Sequence, residues 1–151
     1  MKNIKLLFPL VLLLVSCGIE EQKPYQTPFV HIMFQEASES TISSLANVSK
    51  DYMVYLSSAP LSRNLEVYYE IQVGDGLQEG RDFERITVSD TLVFLTGIYD
   101  MPIRIKWLIH PLDLTKNNTL KIILKGNNLG INLGLPGPDH NQSVFTITKT
   151  Q

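Results

Sequence analysis

Three histidines, one cysteine and 15 acidic residues are the side chains of this 151-residue chain that could carry chemistry. Hydrolysis asks for a nucleophile with an adjacent base, or for two carboxylates at controlled spacing. His31, His110 and His140 form no His-Glu-x-x-His pattern, and no Gly-x-Ser-x-Gly elbow is present. Asp139-His140 is the one adjacent acid and histidine. Neighbours in a loop rarely converge on one substrate atom, so the pair is kept as a binding candidate. The chain reads as non-enzymatic, with no cofactor and no metal-ligating set.

Binding needs less than catalysis. A sugar ring asks for an aromatic platform facing solvent, flanked by amide or carboxylate partners. Trp107 alternates with Ile103, Ile105 and Ile109 and is expected in the core. Tyr68 and Tyr99 fit the platform better, Tyr68 from the wet side of its strand and Tyr99 from a turn beside Asp100. The candidate binding residues are therefore Tyr68, Tyr99, Asp100, Asp139 and His140.

Cys17 closes an apolar run, Leu6 to Val15, that follows Lys2 and Lys5. This is the order of a bacterial secretory signal, and the run is about half the roughly 20 residues that span a bilayer. Leu14-Val15-Ser16-Cys17 resembles the lipobox of bacterial lipoproteins. The resemblance implies cleavage after residue 16 and a diacylglyceryl thioether on Cys17, with the new amino group acylated. Two or three acyl chains hold a soluble domain to a membrane where one does not. The acidic pair Glu20-Glu21 is similar to the export signal of Bacteroidetes lipoproteins carried to the outer face of the outer membrane, and Asp90-Thr91-Leu92 matches their O-glycosylation pattern. The expected location is the outer membrane, lipid-anchored and facing the cell surface.

Removal of residues 1–16 takes two lysines and leaves 11 basic against 15 acidic residues, a formal −4. No basic stripe remains for phosphates, so nucleic acid is not an expected partner. The single Cys rules out a disulfide framework. The expected organisation is a signal peptide over 1–16, a lipidated Cys and tether over 17–27, and one domain over 28–151.

The domain is a series of short Val-, Ile-, Tyr- and Thr-rich runs between Gly, Pro, Asn and Asp clusters, the mark of an all-β fold. Strands are expected over 29–34, 51–57, 64–73, 91–95, 103–110, 119–125 and 144–148. In "LEVYYEIQV" Leu65, Val67, Tyr69, Ile71 and Val73 share one face, a period of two that predicts antiparallel sheets with one solvated side. The Ser- and Thr-rich segment 36–50 reads as loop or edge strand. Two loops stand out: 74–80 with three glycines, and 126–142, longer than the usual 4 to 6 residues and the expected place of partner contact.

Gly80-Arg81-Asp82-Phe83, then Phe94 to Ile105 around Gly97, then Asn117-Asn118-Thr119-Leu120 resemble Calx-beta and related small modules of Bacteroidetes lipoproteins. The resemblance implies an immunoglobulin-like β-sandwich of about seven antiparallel strands and, in the calcium-binding members, acidic clusters at one end. Here the third element offers Asn117 and Asn118 with only Asp113 nearby, whereas Ca²⁺ takes 6 to 8 oxygen ligands. Together these features predict a non-enzymatic accessory or structural module of a glycan-uptake or adhesion system at the outer membrane. A glycan-binding lipoprotein using the tyrosines and the 126–142 loop, or a calcium module, is the alternative; membrane, glycan and an outer-membrane protein complex are the expected partners.

Overall fold

The computed structural model describes residues 27–151, so the lipobox, Cys17 and the Glu20-Glu21 pair lie outside the described residues. Ten strands follow in order: β1 (Phe29–Met33), β2 (Glu39–Ser43), β3 (Val48–Ser57), β4 (Leu65–Val73), β5 (Phe83–Arg85), β6 (Thr91–Phe94), β7 (Asp100–Trp107), β8 (Thr119–Asn127), β9 (Asn132–Leu133) and β10 (Val144–Thr150). They form two five-stranded sheets, the first in the order β5-β7-β3-β1-β9 and the second β2-β10-β8-β4-β6. The chain is an all-β sandwich.

All seven expected strands are present, and the differences have local causes. The Ser- and Thr-rich segment yields β2, an edge strand. β5 and β9 are too short to show a period. Two pairings are parallel, β1 with β9 and β2 with β10, so the sheets are mixed rather than antiparallel throughout. β7 starts at Asp100 and stops at Trp107; Leu108 leaves the ladder because its N–H donates to Asp82 O at 3.0 Å, and Ile109 ends up exposed, not in the core.

Alternation builds the core. Val30 and Ile32 of β1, Tyr52, Val54 and Leu56 of β3, Ile103, Ile105 and Trp107 of β7, and Leu120, Ile122 and Leu124 of β8 all turn inward and are buried. Each such side chain contributes about 1.5–3 kcal/mol on leaving water. Trp107 Nε1 donates to Tyr52 Oη at 3.0 Å, and the Tyr52 ring lies 5.3 Å from Phe145, so the polar atoms of the two largest inward rings satisfy each other. The inward face of β4 opens toward its end: Leu65, Val67 and Tyr69 are buried, Ile71 half-buried and Val73 exposed.

The chain changes sheet at both edges. Phe34 and Ala37 exchange two backbone hydrogen bonds of 3.1 Å around Gln35 (φ 50°) and Glu36 (φ 65°), a tight two-residue reversal with both residues left-handed. It passes the chain from β1 in the first sheet to β2 in the second. At the other edge residues 86–90 carry it from β5 to β6.

Candidate functional site

The outward residues of β1 and β3 are not the polar set expected of a solvated face. Phe29, His31 and Met33 alternate with buried Val30 and Ile32, and in register across β3 stand Ser57, Tyr55 and Met53. On the far side of β3, Tyr55 pairs with Asp100 and Met53 with Pro102. One row thus runs His31, Tyr55, Asp100 over three strands. The His31 and Tyr55 rings stack 5.4 Å apart at 22°, and Phe29 tilts against His31 at 5.3 Å. Burial lowers the His31 pKa, keeping the ring neutral at pH 7, and its Nδ1 finds no protein partner. Beyond Met53 and Pro102 the face becomes ionic: Arg104 donates to both Asp51 oxygens at 2.6 and 2.7 Å, holding that carboxyl below its usual range, and Lys106 meets Glu84 at 3.0 Å. The row is thus a half-buried aromatic stack ending in a carboxylate and bordered by charges.

The residues expected from sequence divide around this face. Asp100 is part of the row, and Tyr99 is exposed one place before it, its carbonyl accepting from Leu56 N at 2.7 Å. Tyr68 is exposed as expected but on the second sheet, its Oη 3.2 Å from Glu66 Oε2 and its strand paired with Gly126, so it shares no site with Tyr99 and Asp100. Asp139 and His140 lie in the long loop, where His140 takes φ 45° and its Nδ1 lies 3.2 Å from Leu133 O. That loop is less free than its length suggests. Its first two residues belong to β8, residues 132–133 form β9, and Asn127 ties the bend, with Oδ1 accepting from Leu129 N and Ile131 N at 3.0 and 2.9 Å and Nδ2 donating to Ile131 O at 2.7 Å. Because β9 pairs with β1, with Asn132 opposite Phe29, the loop borders the aromatic face. Tyr55 and His31 are the members that sequence reasoning missed; the signal was the alternation in "FVHIM", which puts Phe29, His31 and Met33 opposite the core side.

The opposite end of the sandwich holds a buried ionic knot. Asp82 and Lys149 are both fully enclosed. Lys149 Nζ donates to Leu108 O at 2.8 Å and to Asp82 O and Oδ1 at 3.3 Å, while Asp82 Oδ2 accepts from Gln78 N at 3.0 Å and Arg81 Nε at 2.7 Å. His110 Nδ1 stands 3.4 Å from Asp82 Oδ1. Burial pushes the Asp82 pKa up, but hydrogen bonds from Arg81, Gln78 and Lys149 outweigh it, and the carboxyl titrates below its usual range. Lys149 was hidden in plain alternation: Phe145, Ile147 and Lys149 share the inward side of β10.

This knot bears on cations. Asp82 belongs to the Gly-Arg-Asp-Phe element, and its oxygens already hold an ammonium and a guanidinium. In the Asn117-Asn118 turn, Asn118 Nδ2 donates to Asp113 O at 2.8 Å and Asn117 Oδ1 accepts from Thr119 Oγ1 at 2.7 Å, so the amides build the turn. Among the described residues no group of three or more His, Cys, Asp or Glu is placed to share a metal.

No family model matches the chain, and no curated protein matches it. Solved structures do. The chain resembles the crystal structure of CBD12 from CALX1.2, with a TM-score of 0.56 and 20% identity over 80% of this chain and 44% of that one. It is also similar to a two-domain protein of unknown function from Bacteroides fragilis NCTC 9343, with a TM-score of 0.49 and 13% identity over 82% of this chain and 45% of that one. The first likeness shows the fold: a β-sandwich resembling a Calx-beta domain. The chain spans less than half the length of either neighbour.

Proposed function

We propose that this chain is a non-enzymatic, lipid-anchored module that binds glycan at the outer surface of a bacterial outer membrane, as an accessory to a glycan-uptake or adhesion system. The observation that carries the binding role is the His31, Tyr55, Asp100 row, an outward aromatic stack ending in a carboxylate on a sheet face whose neighbours are apolar. A sugar's C–H groups meet the solvent-facing edges of the stacked Tyr55 and His31 rings while Asp100 accepts from its hydroxyls. Anchorage rests on the sequence: the lipobox at Cys17, and the acidic Glu20-Glu21 tether that argues for the external face.

Electrophoresis through gels containing a broad panel of polysaccharides tests the binding role. At least one glycan should retard the chain. Tyr55→Ala and Asp100→Ala should each weaken binding roughly tenfold, about 1.4 kcal/mol, while Tyr68→Ala on the other sheet leaves it unchanged. Migration unaffected by every polysaccharide, or binding lost only with Tyr68, refutes it. Anchorage is tested by Cys17→Ala, which should release the chain from the membrane fraction, and the external face by protease shaving of intact cells.

A further inference from the structure

The free edge of β2 is built for strand addition, and its residues determine which strand fits. Thr146 N donates to Ser38 O at 3.0 Å and Ser44 N to Thr150 O at 2.5 Å, so the even-numbered residues of this segment turn their backbone toward β10. In a strand the lateral direction alternates, so Glu39, Thr41 and Ser43 turn their N–H and C=O groups away from the sheet, where Ser43 O accepts from Ala46 N at 3.0 Å. Among the described residues nothing bonds the backbone of Glu39 or Thr41. The other edges are shorter: β9 has two residues, β5 three and β6 four, against five in β2. Natural edges are usually blunted by lysine, proline or a bulge. Glu-Ser-Thr-Ile-Ser carries none of these, and its one charge is Glu39. Open clefts lie beside this edge, one of about 360 Å³ lined by Phe34, Ile42, Lys50 and Tyr52 and one of about 450 Å³ bounded by Glu39, Ser40, Thr41 and Thr148. They leave room for another backbone and for the side chains it projects.

We infer that a second copy of this chain occupies the edge, β2 pairing antiparallel with β2 about a two-fold axis at Thr41. The register that overlaps all five residues sets Thr41 against Thr41 and Glu39 against Ser43 of the second copy. It is also compatible in charge, because each carboxylate faces a neutral hydroxyl and the two copies of Glu39 are kept at opposite ends. A shifted register centred on Glu39 sets the carboxylates face to face, which is destabilising in a sheet. The outward backbone groups of Glu39 and Thr41 and the N–H of Ser43 enter the hydrogen-bonded pairs, with Cα atoms about 5.5 Å apart, while Ser43 O stays with Ala46 N. The second sheet then runs continuously through both copies. An interface this small belongs to the weak class, with dissociation constants expected at roughly 10⁻⁵ to 10⁻³ M in solution.

Sedimentation equilibrium of the purified full chain in detergent, from micromolar to millimolar concentration, tests the inference. The wild type should pass from monomer to dimer. Thr41→Pro removes a donor that the monomer does not use and should raise the dissociation constant at least tenfold, with the melting temperature of the dilute monomer nearly unchanged. Should Thr41→Pro disturb the fold, charge reversal gives a separate reading: Thr41→Lys and Thr41→Glu should each stay monomeric alone and associate when mixed, because position 41 faces itself across the axis. A wild type that stays monomeric throughout overturns the proposal. So does a dimer untouched by these variants, or a monomer whose β2 edge takes up a strand of a different protein.

Discussion

Lys149 is fully enclosed by protein, and its value to the fold depends on Asp82. Two buried opposite charges contribute little net stability over an apolar pair, but removing one leaves the other uncompensated. Lys149→Met should therefore lower the unfolding free energy by about 3 kcal/mol in urea titrations. The double change with Asp82→Asn should recover part of that loss. Tyr52, bonded to Trp107, gives a pH signature. Burial, partly opposed by hydrogen bonds with Trp107 and Ser40, pushes its pKa up to about 12. A folded value raised above the ordinary value of about 10 means the contribution is complete below pH 10 and is lost as pH rises toward 12. Alkaline unfolding followed by circular dichroism should steepen across that window, and Tyr52→Phe should flatten it while costing about 1–3 kcal/mol at neutral pH for the stranded Trp107 donor. Of these residues the sequence disclosed Trp107 as core; it did not disclose that Asp82, in the 80–83 element, and Lys149, near the C-terminus, share one enclosure, because ion pairs between distant segments leave no local period.

Among the elements, the 128–143 loop shows how far length misleads. Gly134 has φ +81°, and a Cβ there would stand 2.3 Å from His140 O, a backbone atom that cannot swing aside. Its N–H donates to Val30 O at 2.7 Å, stitching the loop to β1. Gly134→Ala should cost 2 kcal/mol or more and speed proteolysis between residues 135 and 141, since a left-handed conformation and a backbone clash are both imposed. At Gly130 φ is +66° with nothing within 4 Å of a built Cβ, so Gly130→Asn should be nearly neutral by the same assay. Seven strands were legible because a buried face with a period of two writes itself into the residues. The Gln35-Glu36 reversal was not, since the usual marker of two left-handed residues is Asn-Gly and neither residue is present.

For the molecule as a whole, the calcium alternative meets the Asp82 knot, whose buried carboxylate already holds cations of its own. The melting temperature should be the same within about a degree in millimolar calcium and in chelator. A rise of several degrees with calcium would mean that a site forms from residues placed otherwise. The sandwich could be read from the chain, and Asp100 was among the residues that its sequence singled out. The aromatic row could not, because Tyr55 and His31 become a platform only when three strands set their register.

The two parallel pairings impose an order in time. β1 and β2 stand near the start of the domain, yet their partners β9 and β10 lie about a hundred residues later, so the first sheet is incomplete until β9 has been made and the second until β10, the last strand. Contacts this distant in sequence form slowly. A chain emerging from the ribosome therefore leaves both sheets unfinished until its last strands are out, and an unfinished fold is the condition under which a polypeptide can be threaded through a membrane.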